Sequence, residues 1–545
     1  MLTNPTRRQF LATTALAPLA TLVVPARSWA AADSRIEVLL GERIGRIAPE
    51  IHGHFTEHVG GVIYDGIWVG ENSKIANQGG IRTALVEKLR AIKAPVIRWP
   101  GGCFADSYDW RDGVGARASR PTRTNFWNDP KAPDGPQKWE PNAFGTNEFI
   151  RFCQLAGAQP YLAANLRALT PLDFDHWVEY CNSPAGSTML AKERGGEPFN
   201  VRYWGVGNES WGCGGDFTPE EYSTEFRRFT SWVPGYGVEL AFVGSGPSSG
   251  ELEWTRRFFA ALAAKDKNLV NRVWGWALHH YSWNVSQGRT TDWEAGKGDA
   301  LNFPAEEWYE LLREGDRMEA LITSHWQALG EHDPQRKVKL VVDEWGSWYK
   351  PGTEVKPSHQ LGQQNTIRDA VLAGLTLDTF YRHADKVGMA AIAQLVNCLQ
   401  SLFLADGDRF VVTPTYHVFA MHAAHQGADA VRTLVSAPRL THQRNGQPAS
   451  FWGLNGSASL NGRQVVVTAV NPSVSDARET EIVLRGGAPA SARGTVLTAT
   501  AMNAHNAFEM PDAVAPRTLE VRMSGGSAIV TLPPMAVAKI ELAVA

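Results

Sequence analysis

Two carboxylates stand at or beside the ends of apolar runs far apart in the chain: Glu209 closes Val201–Glu209, and Glu344 sits one residue short of the end of Lys339–Trp345. Taken singly, an Asn-Glu or Asp-Glu dipeptide is usually structural. Facing each other across a cleft, two carboxylates are what glycosidic bond cleavage requires. One carboxylic acid protonates the departing oxygen while the other attacks the anomeric carbon or activates a water. Carboxyl groups about 5–5.5 Å apart permit a covalent intermediate and retention of configuration, whereas about 6.5–9.5 Å leaves room for water and gives inversion.

For the pair to meet, the elements carrying it must converge. Between residues 50 and 400 short apolar runs alternate with helical patterns. The runs are Ile51–Glu57, Val96–Gly102, Pro160–Leu166, Val201–Glu209, Leu240–Pro247, Val273–Tyr281, Lys339–Trp345 and Met389–Asn397. Several are continuous rather than alternating, as in strands buried on both faces. Between them, Thr218-Pro219-Glu220-Glu221 is a capping box with proline at the first helical position. Phe149, Phe152, Cys153 and Ala156 fall on one helical face, and Leu85, Leu89 and Ile92 form a similar stripe. This alternation predicts a (β/α)8 TIM barrel over residues 50–420. An open doubly wound sheet is the alternative, but no GxGxxG turn follows the first strand.

Barrel enzymes place their reacting groups at the C-terminal ends of the strands. Strand one then offers Glu57 and His58, strand two Gly101, Gly102 and Cys103, and strand four Asn208 and Glu209. Strand six offers His279, His280 and Tyr281, strand seven Asp343, Glu344 and Trp345, and strand eight Gln394 and Asn397. Glu209 and Glu344 are thereby expected across one mouth.

Past about residue 420 the helical period disappears. Gln464–Val470, Arg478–Leu484, Gly494–Thr500, Arg517–Met523 and Ser527–Leu532 are short, β-rich and bounded by turn residues, which predicts an all-β sandwich, jelly-roll-like, over 421–545. Arg35–Leu40 has strand character too, so residues 31–49 are expected to join that sandwich from the N-terminal side.

Composition agrees with a globular enzyme: 43% hydrophobic and 20% charged residues over 545 positions, enough for more than one core. Residues 1–30 read as a twin-arginine signal peptide. Thr6-Arg7-Arg8-Gln9-Phe10-Leu11 is followed by an apolar stretch to Val24 and a small-x-small site at Ser28-Trp29-Ala30. The expected destination is the periplasm or beyond, with no membrane span, because the apolar stretch is short and broken by Thr13, Thr14 and Pro18. Its removal takes away Arg7, Arg8 and Arg27 and no acid, moving the formal charge from −3 to −6 and leaving no basic run for nucleic acid. The five cysteines show no CxxC or zinc-ligand spacing, and export of a protein folded in the cytosol predicts no disulfide framework.

Rival readings start from other residues. His52-Gly53-His54 on strand one, with His279 and His280, has the look of an amidohydrolase metal site. Strand five supplies no histidine near Gly244–Pro247 and strand eight no aspartate, so no metal or other cofactor is expected. Gly212-Cys213-Gly214-Gly215-Asp216 lacks the Lys-Ser/Thr of a phosphate loop and reads as part of the mouth. Among the 20 tryptophans, Trp99, Trp110, Trp127, Trp211 and Trp345 lie near strand ends, where one or two of them could stack on a sugar. A non-catalytic carbohydrate-binding barrel is the reading that loss of either carboxylate would favour, and both are present.

Tyr203-Trp204-Gly205-Val206-Gly207-Asn208-Glu209 and Val342-Asp343-Glu344-Trp345 resemble the acid/base and nucleophile strands of glycoside hydrolase family 51. Gly53-His54-Phe55-Thr56-Glu57-His58, Arg98-Trp99-Pro100-Gly101-Gly102-Cys103-Phe104 and Phe144-Gly145-Thr146-Asn147-Glu148-Phe149 extend the resemblance over about residues 50–420. It implies an exo-acting retaining α-L-arabinofuranosidase with Glu209 as general acid/base and Glu344 as nucleophile. Donors such as Tyr281 would help keep Glu344 ionised. Asn208 would bond the sugar 2-hydroxyl, while Glu57, His279, Tyr281 and Gln394 match positions lining the glycone pocket. Cys103 matches a pocket position where some members carry Asn. The resemblance further implies arabinan, arabinoxylan or arabinogalactan side chains as substrates, and homo-oligomers as a common state. On the same scaffold a galactofuranosidase, a β-xylosidase or an endo-β-glucanase remains open.

Overall fold

The computed structural model describes residues 32–129 and 134–545. The proposed signal peptide therefore lies outside the described residues. Eight parallel strands close into a barrel: Gly53–Phe55, Val96–Trp99, Gln159–Ala164, Tyr203–Val206, Ala241–Gly244, Val273–Ser282, Lys339–Ser347 and Val387–Ile392. Each overlaps one of the apolar runs. Val96, Tyr161, Tyr203, Ala241, Val243, Ala277, Val341 and Met389 gather into one buried cluster, with members from seven of the strands, so the barrel is a packed core and not a pore.

Helix signals in the sequence act where they were expected. Thr218 caps Pro219–Phe229 by accepting from the Glu221 amide, and the Glu221 carboxylate accepts from the Thr218 amide in return. Helix Thr146–Ala156 buries Phe149, Phe152, Cys153 and Ala156, the stripe read from the sequence. Strands six and seven run beyond the expected ends, to Ser282 and Ser347, and their pairing sets His279 beside Glu344 and Tyr281 beside Gly346. Strand four is shorter than its apolar run. It stops at Val206, leaving Asn208 and Glu209 in the turn that follows.

The all-β part is built on one continuous ten-stranded sheet, with a separate hairpin of Leu440–Arg444 and Gln447–Phe451. Ser34–Arg46 lies inside the sheet, antiparallel to Asp429–Ser436 and parallel to Arg478–Arg485. Pro489–Leu497, near one end of the strand order, touches Val521–Ser524 and Ser527–Leu532 at the other end. The sheet thus folds over on itself as a sandwich around Ile36, Val38, Val467, Ile482, Val530 and Ile540. Asp429–Ser436, Asn455–Asn461 and Ala536–Val544 belong to this sheet as well and were not among the strands read from sequence.

Helix Ile367–Arg382 joins the two parts. Every residue from Ile367 to Tyr381 is buried, since one side packs on the barrel and the other on the sheet. Its Asp378 accepts hydrogen bonds from Ser457 and Thr468 of the sheet. His52 and His54 of the barrel and His422 and His425 beside the sheet are fully buried along the same seam. Among the described residues no helix is long and apolar enough to cross a membrane.

Candidate active site

Glu344 is fixed from two sides at the barrel mouth. Arg98 Nη1 donates to Oε1 at 2.8 Å and the Tyr281 hydroxyl donates to Oε2 at 2.8 Å. Arg98 comes from strand two, inside the apolar segment Val96-Ile97-Arg98-Trp99, and is almost wholly buried. A buried guanidinium must be met by charge. It finds Glu344, Asp343 Oδ2 at 3.5 Å and Asn208 Oδ1 at 2.6 Å. Desolvation alone would weaken its proton affinity, but the Asp343 and Glu344 carboxylates reverse that and hold it firmly cationic. With its carbonyl oxygen occupied by Arg98, Asn208 keeps its amide N–H groups as its remaining polar end.

Glu209 hangs from the turn after strand four. Gly207 has φ of 80° and Glu209 itself φ of 40°, a conformation costly for a residue with a side chain. The turn is held by amides of Gly212 and Gly214, which both donate to the Glu209 carbonyl. Beneath it, buried Asp106 accepts from the amides of Leu166, Arg167 and Asn208, tying the segments after strands two, three and four together. Burial pushes the Asp106 carboxyl up to about 7, against those three donors.

His279 bridges the acids. Its Nδ1 lies 3.0 Å from Glu209 Oε1 and 3.5 Å from Glu344 Oε2, and its Nε2 lies 3.3 Å from Asp343 Oδ1. Both ring nitrogens face carboxylate oxygens, which suits the doubly protonated ring. Burial works against that charge, but the Glu344, Asp343 and Glu209 carboxylates outweigh it and raise His279 to about 10. One oxygen of Glu209, a ring nitrogen of His279 and one oxygen of Glu344 lie within 4.8 Å of one another. That approach of the two glutamates is consistent with the close class of carboxylate pairs.

The inner end of the pocket belongs to Glu57. It accepts from the Phe104 amide, Trp127 Nε1 and Gln394 Nε2, each at 3.0 Å. Burial and the nearby Glu344 charge push its carboxyl up to about 7 despite those donors. The Gly101-Gly102 pair is explained here: a Cβ on Gly102 would sit 3.0 Å from Glu344 Oε1, and one on Gly101 only 2.5 Å from Glu57 Cγ. On the outer side, Trp348 meets the Tyr281 ring edge-on at 5.0 Å and borders a cleft of about 360 Å³ shared with Lys297, Gln363 and Asp129.

Glu57, Asn208, Glu209, His279, Tyr281, Glu344 and Gln394 thus converge, with Cys103 at the rim, its sulfur 3.8 Å from Glu209 Oε2. The expectation of no disulfide is corrected: Cys103 and Cys213 are joined, while Cys153, Cys181 and Cys398 are free and buried. A separation of 110 residues carries no spacing signal; only barrel closure brings the loops after strands two and four together. His52 and His54 are not part of the mouth. His52 Nε2 meets the Tyr381 hydroxyl at 2.7 Å, and His54 packs on Phe419. His280 bonds the Glu314 carbonyl, and Asn397 donates to the Gly61 and Ala405 carbonyls. Trp99, Trp110 and Trp345 are core, which leaves Trp127 and Trp211 partly open to the mouth side. Sequence reading did not single out Asp106 or Trp348, and it quoted Arg98 and Cys213 only inside longer motifs, without a role of their own. Of these only Arg98 carried a signal, as a charge inside an apolar strand.

Comparison with known proteins covers nearly the whole molecule. Residues 88–295 match the family described as alpha-L-arabinofuranosidase 1 domain, and residues 343–536 match the alpha-L-arabinofuranosidase C-terminal domain. An intracellular exo-alpha-L-arabinofuranosidase of Bacteroides ovatus is 36% identical over 508 residues, which is 91% of this chain and 93% of that protein. An intracellular exo-alpha-(1->5)-L-arabinofuranosidase of Acetivibrio thermocellus is 28% identical over 74% of this chain and 78% of its own length. The crystal structure of the GH51 arabinofuranosidase from Xanthomonas axonopodis pv. citri superposes with a TM-score of 0.86 at 35% identity, covering 94% of this chain and all of that one. These relatives correct the expectation of twin-arginine export to the periplasm: both curated proteins are named intracellular, which speaks against that route.

Proposed function

The chain belongs to the α-L-arabinofuranosidases of glycoside hydrolase family 51, and from that premise we propose that it releases terminal α-L-arabinofuranosyl residues by double displacement, with Glu209 as acid/base and Glu344 as nucleophile. The observation that carries the mechanism is the spacing of the two glutamates, whose oxygens come within 4.8 Å of each other around His279. Such spacing supports attack by the carboxylate itself, hence retention at the anomeric carbon.

In the first step Glu344 Oε2 or Oε1 forms the bond to the anomeric carbon as the glycosidic bond breaks, and Glu209 delivers its proton to the departing oxygen. Arg98 and Tyr281 hold the attacking carboxylate in one orientation. The charge that leaves Glu344 on esterification reappears on Glu209 as it loses its proton. His279 lies within reach of both and provides one cation for whichever is ionised. Ionised Glu209 then takes a proton from water, the water oxygen bonds the anomeric carbon, and Glu344 departs as a carboxylate. Glu57, Gln394, Asn208 and Trp127 are assigned to the sugar hydroxyls on the inner side, where their polar atoms converge.

The test is hydrolysis of an aryl α-L-arabinofuranoside by the full chain and by Glu344→Ala, beside aryl xyloside, glucoside and galactofuranoside, with the first-formed anomer followed by proton NMR. Release of the α anomer, abolished by the single change, is expected. Cleavage of another glycoside in place of arabinofuranoside would overturn the substrate, and first appearance of the β anomer would overturn the double displacement.

A further inference from the structure

One feature of the mouth has no part in this chemistry. The sulfurs of Cys103 and Cys213 lie 3.8 and 3.7 Å from the same oxygen, Oε2 of Glu209. The three ligand-type atoms fall within 4.8 Å of one another, and Glu209 also belongs to the neighbouring group with His279 and Glu344. Both cysteines are partly exposed, so small reagents reach them. We propose that the reduced Cys103–Cys213 pair, together with Glu209, forms a site for a thiophilic divalent cation such as Zn2+ or Cd2+, and that the disulfide closes this site.

The geometry suits that ion class. With zinc–sulfur bonds of about 2.3 Å and zinc–oxygen bonds of about 2.0 Å, a tetrahedral centre places sulfur and oxygen about 3.5 Å apart. The two Cα atoms are 5.6 Å apart, so rotation about the side-chain bonds can open the sulfurs to the roughly 3.8 Å of a dithiolate site without moving the backbone. The fourth position is left to water, because His279 Nδ1 sits at the other oxygen, Oε1 of Glu209, in the separate group with Glu344. Soft thiolates select zinc-class ions over magnesium or calcium.

The steps balance with named reagents. A trialkylphosphine and one water reduce the disulfide, giving two thiols and the phosphine oxide. The divalent cation then displaces two thiol protons and takes the Glu209 carboxylate as its third ligand. A carboxylate bound to the ion has no proton for the departing oxygen, so hydrolysis stops. The loss of activity rests on Glu209 being the acid/base; metal capture by the dithiol does not.

The experiment compares the full chain, oxidised and after phosphine reduction and desalting, with a reduced Cys213→Ser variant, each titrated with Cd2+. Thiolate-to-cadmium charge-transfer absorption and aryl arabinofuranoside hydrolysis are read together, every rate divided by that of the same sample without metal. The reduced chain is expected to bind one ion with a two-thiolate absorption and to lose activity by about a hundredfold, recovered with a chelator. The oxidised chain and Cys213→Ser should show neither the full absorption nor comparable inhibition. Equal absorption or equal inhibition in oxidised chain or variant would overturn the site. Full two-thiolate absorption with undiminished hydrolysis would leave metal capture standing and overturn the role of Glu209.

Discussion

Removing the Tyr281 hydroxyl should slow one half of the reaction and spare the other. The hydroxyl donates to Glu344 Oε2 at 2.8 Å, while the ring is held separately by its edge contact with Trp348, so Tyr281→Phe deletes a hydrogen bond and keeps the packing. A hydrogen bond to a charged group is worth about 1.5–3 kcal/mol. That stabilisation belongs to ionised Glu344 and fades as the carboxylate is consumed. Its loss therefore makes Glu344 no worse an attacker, but a poorer leaving group when the arabinosyl ester is hydrolysed. If half or more of the bond is regained in the second transition state, deglycosylation slows by about tenfold, at 1.36 kcal/mol per decade. With a dinitrophenyl arabinofuranoside, kcat should drop by about that factor while kcat/KM, which reports the first step, stays within about threefold. A pre-steady-state burst and an arabinosylated Glu344 peptide in the mass spectrum should accompany it. Equal falls in kcat and kcat/KM with no burst would refute the reasoning, because Tyr281 would then be serving substrate binding or the first step.

Three further outcomes follow from other parts of the structure. Glu209→Ala should depress hydrolysis of substrates with poor leaving groups by about 10²–10⁴-fold and spare dinitrophenyl substrates in the first step, with azide restoring turnover of the ester; a loss independent of leaving group would reject Glu209 as the acid. Asp106→Ala strands the buried amides of Leu166, Arg167 and Asn208, so thermal unfolding should show a loss of about 3 kcal/mol or more, an unchanged Tm counting against this tie. Burial lowers His52 to about 4, and His54 and His425 to about 3, from their ordinary value of 6.5. The unfolded chain binds these protons first, so the stability they represent is complete above pH 6.5 and is lost as pH falls toward 3. Glu57 and Asp106, raised to about 7, and Asp378, raised to about 6, work in the opposite sense over the window from the ordinary carboxylate range up to those values. His280, His325 and His417, each lowered to about 4, add to the histidine side and outnumber them. At about 1.36 kcal/mol per unit, His52 alone contributes about 3 kcal/mol, and the urea midpoint followed by tryptophan fluorescence should fall steeply below about pH 6. A midpoint flat from about pH 7 to 5 would contradict the seam of neutral histidines.

The barrel was legible because parallel strands covered on both faces must be apolar throughout, as Tyr203-Trp204-Gly205-Val206 is. Its mouth was legible only in part. Strands six and seven keep their pairing past the barrel rim, and no local pattern distinguishes Ser282 or Ser347 from a loop residue. In the sheet, Asn455–Asn461 reads Asn-Gly-Ser-Ala-Ser-Leu-Asn, without a β-branched or aromatic residue. It is a strand because Asp429–Ser436 and Gln464–Asn471 pair with it on either side, a tertiary effect that overrides propensity. The Cys103–Cys213 pairing was hidden for a related reason: loops from two different strands meet only after closure.

Arg98 shows what the sequence offered and how it should be weighed. A guanidinium inside a four-residue strand that is buried at every position has no solvent to turn to, and so it demands acidic partners at the same depth. Those partners had to come from strands close enough across the barrel, which here are strand seven with Asp343 and Glu344 and the turn after strand four with Asn208. In the folded chain that charge therefore meets the same two segments that carry the glutamates. It also explains why the site is stiff: Arg98 touches Asn208 and Glu344 at once, so the residue beside the proposed acid and the proposed nucleophile are held by one side chain. Replacing Arg98 with Met would free both together and leave Asp343 and Glu344 uncompensated against His279 alone. For that reason its cost should exceed that of losing the Tyr281 hydroxyl, in activity and in stability alike.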